Sequence, residues 1–368
     1  MAGSDDWLRA MPKVELHCHL IGAMRASTWR ELAHKNGIAL PADPELIYAN
    51  MNSRPADPAA YAHAVVSMAP DPDEVYPDPS FSLLTIYDTA ARSVVTDDDF
   101  VRLGYEIAED AARESNVRYL ELFYDPTTFF PQGVSFATIT DGLIEGFRAA
   151  ERAYGIRSRL IAAINRAESA ALARELLEIV IAERRDEILG IGLDNLETAG
   201  PPEKFAEAFA MARRAGLKRT AHTAEHDPHA RNIVTCLDVL ACDRLDHGYF
   251  ILHDPAVVAR CRDAGIHFTC SFTTSRRSWR AWRRRSIKAM HEAGLRLVLG
   301  ADDPTMFPTT LAREFAIGRD KVGFSDQTLT QIALNGIDAS WLDPGEKQSL
   351  RREFTREIAR SRATKETV

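Results

Sequence analysis

Short, β-branched apolar runs alternate with longer segments of helical periodicity along most of this chain. The runs that predict strands are residues 14–17, 117–123, 157–164, 188–193, 218–222, 244–247, 266–270 and 295–300. Amphipathic stretches lie between them at 98–114, 167–184, 202–215 and 255–264. In the first of these, Phe100, Leu103, Ile107 and Ala111 recur at helical spacing. Eight strands alternating with helices predict an α/β fold, a parallel sheet closed into a (β/α)8 TIM barrel. Residues 41–80 interrupt the rhythm with eight prolines and no clear strand. An insertion after the first strand rises from the face where barrel enzymes carry their chemistry, so it reads as a lid or substrate wall. A disordered linker is the other reading. Beyond Asp326 the pattern is helical, and 357–368 reads as a frayed tail.

Composition adds bounds to this picture. The chain has 368 residues, 45% of them hydrophobic and 27% charged, which suits one soluble barrel domain over 1–368. A formal net charge of −8 disfavours binding to a nucleic acid polymer and leaves a small molecule as the expected partner. No apolar run approaches a membrane span, and the acidic opening Asp5-Asp6-Trp7 does not resemble a secretory signal. Five cysteines without a CxxC pair predict reduced thiols, a cytoplasmic protein and no cysteine-only metal site. Oligomeric state is not readable from the sequence.

The candidate chemistry sits at strand ends. Leu16-His17-Cys18-His19-Leu20 closes the first strand. Residues two apart on a strand share a face, so both imidazoles can reach one ion. His222, with Glu225 three residues on, closes the fifth strand. Asp246-His247-Gly248 closes the sixth, and the eighth runs into Ala301-Asp302-Asp303-Pro304. Singly, each has an ordinary explanation: a core histidine pair, a helix N-terminal glutamate, a turn histidine, a capped turn. Together they recur where barrel strands converge on one pocket. Imidazoles with a carboxylate suit Zn2+, and a further histidine and carboxylate suit proton transfer to or from an activated water. This is apparatus for hydrolytic attack at a C=N or C=O carbon.

In these residues the chain resembles the adenosine deaminase family, metal-dependent purine deaminases on a (β/α)8 barrel, over roughly residues 11–355. The matching segments are Pro12–Leu20, Leu217–Glu225, Arg244–Tyr249 and Ala301–Pro304. The resemblance implies one zinc ion per chain, held by His17, His19, His222 and Asp302, with Asp302 also counted as catalytic. It implies that His247 orients and deprotonates the attacking water. It implies that Glu225 protonates a purine ring nitrogen, and that Asp303 hydrogen-bonds the five-membered ring. A carboxyl that donates a proton needs a raised pKa, which a desolvated pocket would supply.

Four departures bear on the substrate. Ile21, beside Gly22 in the substrate-binding segment, stands where members acting on adenosine have an acidic residue that contacts a ribose hydroxyl. An isoleucine offers no partner, which redirects the sugar preference unless a neighbour supplies the hydrogen bond. Asn195, in Leu193-Asp194-Asn195-Leu196-Glu197, stands where a glycine approaches the base, unless the alignment slips by a residue or two. Cys270-Ser271-Phe272-Thr273-Thr274 lacks the proline of the family's turn. Residues 276–285 then carry six arginines and two tryptophans. Guanidinium groups there would suit a phosphate, and a solvated basic helix or subunit contact is the alternative. The expected activity is zinc-dependent hydrolytic deamination of an adenosine-like purine, with a modified adenine nucleoside or nucleotide favoured over adenosine itself. The rivals are a catalytically silent binding protein on the same fold and a metal hydrolase of another amino-heterocycle.

Overall fold

A computed structural model describes residues 3–51, 83–274 and 279–366. Among the described residues nine strands run parallel: β1 Lys13–His19, β2 Val117–Tyr124, β3 Arg157–Asn165, β4 Ile188–Asp194, β5 Lys218–Arg219, β6 His222–Thr223, β7 Leu245–His247, β8 His267–Cys270 and β9 Arg296–Leu299. They form two ladders, β1 to β5 and β6 to β9. The expected fifth strand is therefore β5 and β6 in succession. Between them the chain changes neighbours. Thr220 still exchanges hydrogen bonds with β4, through the Ile191 carbonyl and the Leu193 amide, whereas the Ala221 carbonyl accepts the Asp246 amide at the start of the β7 pairing. The other junction lies past β9, where Asp302 donates to the His17 carbonyl (2.7 Å) and accepts the His19 amide (2.9 Å). These links join eight strand positions into the barrel.

Helix ends obey local chemistry. The helix Asp97–Ser115 starts in a capping box of Thr96 and Asp99, with three aspartates in its first turn facing the positive end of the dipole. It turns Phe100, Leu103 and Ile107 inward. Asp254 caps Pro255–Ala264, Pro255 opens it, and left-handed Gly265 closes it, which fixes the bounds the periodicity indicates. The stretch 202–215 divides into a 3-10 turn, Pro202–Phe205, and the helix Ala206–Arg214.

The barrel interior carries charge as well as apolar packing. Arg244 and Glu121 are both buried and lie 2.5 Å apart. The guanidinium also reaches the carbonyls of Ala339 and Leu16 and lies over the Trp341 ring, tying β1, β2 and β7 to the C-terminal helices. Within the expected insertion, Pro44–Met51 is helical and buries Tyr48; residues 52–82 lie outside the described residues. The expected frayed tail continues as helix through Glu366.

Candidate metal and catalytic site

β1, β6 and the segment after β9 end on the same face, and their side chains meet there. His17, His19, His222 and Asp302 place one ligand atom each within 4.8 Å of one another, and all four are buried. The Nε2 atoms of His17 and His19 each lie 3.1 Å from that of His222. Asp302 Oδ1 is 3.4 Å from His17 Nε2 and 3.5 Å from His19 Nε2. The opposite ring nitrogens face oxygen. The Thr269 hydroxyl donates to Asp246 (2.6 Å), so it accepts from His17 Nδ1 (2.8 Å). His19 Nδ1 faces Asp194 at 3.6 Å, and His222 Nδ1 faces Asp246 at 3.5 Å.

Protonated Nδ1 atoms leave three Nε2 lone pairs crowded on one point beside a carboxylate. A divalent metal at that point would satisfy the three lone pairs and the carboxylate at once, so the donor set fits one. The electrostatics agree. Burial, reinforced by His222, pushes the His19 pKa down to about 3 and keeps it neutral. Burial opposes ionisation of Asp302, but the imidazoles of His17, His247 and His19 outweigh that and hold the carboxyl low. Burial pushes the His17 pKa down, and Asp302 outweighs that in turn and raises it to about 9, so a proton and a metal ion compete for the same Nε2.

Asp246 receives hydroxyl donors from Thr220 and Thr269 while facing two of the histidines. Strand alternation would send Asp246 and His247 to opposite sides. The backbone at His247 is left-handed (φ +67°), and both residues face the centre, the His247 ring centroid lying 4.7 Å from those of His17 and His222. Asp302 is left-handed too (φ +63°), and Asp302 and Asp303 are both buried at the site.

His247 Nδ1 lies 3.0 Å from the Tyr249 hydroxyl, which donates to the Ser271 carbonyl. Nδ1 therefore carries the proton, and Nε2 faces Glu225 Oε2 at 3.4 Å. Glu225 is also 3.1 Å from His226 Nδ1, and its Oε1 lies 2.5 Å from Nη2 of Arg283. Here the sequence expectation fails. Burial pushes this carboxyl up, yet His226, His247 and Arg283 together hold it well below the usual carboxylate range. The expectation considered desolvation alone. The missing cation came from the arginine run read as a candidate phosphate site. Arg283 is 1% exposed and turned onto Glu225. Arg280 bonds the Thr273 carbonyl, and Arg276 and Arg277 lie outside the described residues.

The turn carrying Glu225 is held from below. Glu197, buried, accepts the backbone amides of Ala224 (2.7 Å), Glu225 (2.9 Å), His226 and Asp227 (both 3.0 Å). Its place at the end of the Leu193–Glu197 segment was visible in the sequence; its partners, 27 to 30 residues on, were not.

On the substrate side, Asp303 is buried beside Gly22. A Cβ at Gly22 would meet the Asp303 carboxylate oxygen at 1.8 Å, so that carboxylate requires glycine there. Asn195 is left-handed (φ +69°), and its side chain folds back to accept the Leu196 amide. Ile21 lies in the apolar core, 2% exposed. Its backbone amide meets the hydroxyl of Tyr87, from the helix Leu83–Arg92, and Asp125, Asp303 and Asp194 all act electrostatically on that hydroxyl. Asp125 and Asp194 hydrogen-bond each other, and burial raises the Asp125 pKa to about 6. Asp125 and Asp194 were visible as acidic residues at strand ends, the signal that marked the other site residues. Nothing in the sequence marked Tyr87.

A parallel barrel with this donor cluster and a carboxylate–histidine pair at its strand ends defines a hydrolase of the amidohydrolase kind. The sequence profile of the adenosine deaminase family matches residues 58–357. The chain is 31% identical over 341 residues to an adenine deaminase of Ralstonia nicotianae, covering 91% of this chain and 92% of that protein. It is 32% identical over 355 residues to one of Streptomyces coelicolor, covering 96% of each. An amidohydrolase from Burkholderia ambifaria, solved with bound zinc, superposes with a TM-score of 0.87 at 32% identity, over 100% of this chain and 96% of that one. The adenine deaminase of Arthrobacter aurescens does so at 0.81 and 28%, over 95% and 99%. The chain belongs to the adenosine deaminase family, and it is a hydrolytic deaminase acting on C–N bonds.

Proposed function

We propose that the protein hydrolyses the 6-amino group of an adenine-type purine, releasing ammonia, and that its preferred form is the free base. The observation that carries the deamination is the convergence of Glu225 and His247 on the rim of the four-donor cluster. The preference for a base rests on the surroundings of Ile21. This residue is sealed in the core, with Tyr87 at its amide, and offers a sugar hydroxyl no side-chain partner. The relatives named adenine deaminase support the same reading. Arg283, engaged by Glu225, is not free for a phosphate.

His17, His19, His222 and Asp302 would hold one zinc ion, which supplies Lewis acidity and makes water a competent nucleophile near neutral pH. His247, protonated on Nδ1, presents Nε2 as the base that takes a proton from the attacking water. Glu225 starts ionised. It receives that proton across the 3.4 Å gap to His247 and passes it to the ring nitrogen, drawing electrons from the carbon under attack. Burial and the neighbouring Asp302 push the Asp303 pKa up, and in its protonated form this carboxyl can bond the five-membered ring as donor or acceptor. Gly22 makes room for it, and Asn195 leaves backbone at the base. The amine then gains a proton as the new hydroxyl loses one, and ammonia departs from a 6-oxo product.

An ammonia-release assay over adenine, adenosine, AMP and their N6-methyl forms tests the substrate. Turnover is expected with adenine and at least about tenfold weaker turnover with the nucleoside. Equal or better rates on a nucleoside or nucleotide would return the reading to those forms. Silence across the panel with zinc bound would reject purine deamination. Glu225→Gln should keep its zinc and lose roughly 100- to 10,000-fold in kcat.

A further inference from the structure

We propose that Arg283 is a positioning residue for this reaction, fixing Glu225 as an oriented anion with one oxygen clamped and the other turned to His247 and His226. This rests on the deaminase reading above. The helix Trp279–Glu292 delivers the guanidinium into the barrel mouth. Nη1 donates to the Thr274 carbonyl, and Nη2 donates to Glu225 Oε1 at 2.5 Å. The guanidinium carbon stands 4.6 Å from the centre of the Tyr249 ring. That hydroxyl is the partner of His247 Nδ1. One buried cation thus supports both members of the proton-transfer pair, the carboxylate directly and the imidazole through Tyr249.

The division of the two carboxylate oxygens is the central point. Oε1 is spent on Arg283, while Oε2 faces His247 at 3.4 Å and His226 at 3.1 Å. A carboxylate free to rotate would present either oxygen; the clamp presents Oε2 alone. A planar guanidinium can hold a carbonyl and a carboxylate at once while stacking on a ring, which an ammonium cannot. A buried guanidinium is also costly unless a carboxylate compensates it, so the pair is mutually dependent. Among the described residues, the charged or titratable groups acting on Glu225 include His226, His247, Arg283, Asp303 and Tyr249.

The test uses the full-length, zinc-loaded protein. Arg283→Met should lower kcat about 100-fold while KM changes less than about threefold. The limb of the pH profile governed by Glu225 should move about one unit or more toward higher pH, because the cation that keeps the carboxyl ionised is gone. Added guanidinium ion should restore part of the rate to R283M and none to R283K, whose ammonium fills the place. An R283M enzyme with near-native kcat and an unmoved limb would overturn the proposal. If R283M fails to fold, infrared difference spectra of 13C-glutamate-labelled wild type against E225Q decide instead. A Glu225 carboxylate band at pH 6 supports the clamp, and a protonated carboxyl band overturns it. That spectrum is read without substrate, so a wild type silent on every purine would reject the substrate reading while leaving Arg283 to be judged separately.

Discussion

Asp246 stands behind the histidines, where no reacting atom reaches it, and still governs what they can do. Two hydroxyls donate to it, and two imidazoles face it. An acceptor behind a ligating histidine fixes which ring nitrogen is bare, and that decides whether the other side can bind a cation. Replacing Asp246 with Asn substitutes an NH2 for one of those oxygens. Asp246→Asn should therefore weaken zinc binding by about 10- to 100-fold with the fold retained, measured by competition with a chelator. Residue type and spacing in the sequence put histidines and carboxylates at the strand ends, and the family resemblance nominated His17, His19, His222 and Asp302 among them. They were silent on Asp246, because a carboxylate beside His247 on a regular strand would point away. The left-handed backbone at His247 reverses that, and single-residue φ values are not written in hydrophobic periodicity.

Elements were legible where their ends carry chemistry. The helix Pro255–Ala264 was bounded by Asp254, Pro255 and Gly265, each with a local reason. The fifth strand was legible as one run and is built as two pairs of residues, because its neighbours change midway and pairing is a long-range property. The turn that follows it shows how an element depends on a distant one. Four consecutive amides, Ala224 to Asp227, converge on the Glu197 carboxylate. Removing it leaves buried donors unpaired, each worth about 1–3 kcal/mol. Glu197→Ala should destabilise the protein by at least about 2 kcal/mol in urea unfolding. Because Glu225 rides on that turn, its kcat should fall further than its zinc content does.

At the scale of the whole molecule, some buried charge is held in closed sets such as Arg244 with Glu121. His267 on β8 is the contrasting case. It is 9% exposed, and burial, reinforced by Arg296, pushes its pKa down to about 4. The unfolded chain takes up a proton near 6.5, the folded chain only near 4, so stability is complete above that window and falls as pH drops through it. The loss is on the order of 3 kcal/mol across the window. Denaturant midpoints measured from pH 7 to pH 4 should decline accordingly, and His267→Gln should flatten the decline. No helix among the described residues is long and apolar enough to cross a membrane.

The sequence by itself determined the alternation of strands and helices, the strand-end histidines and carboxylates, and through them the class of chemistry, because each follows from local periodicity or from residue types at a strand end. Tertiary structure alone decided that Arg283 clamps Glu225, that Glu197 holds the turn beneath it, and that the Tyr87 hydroxyl meets the Ile21 amide. Those contacts join residues 27 to 66 positions apart. A cation's effect on a carboxylate depends on the distance between them and on the water excluded around them. Folding sets both, and neither is a property of the residues in order.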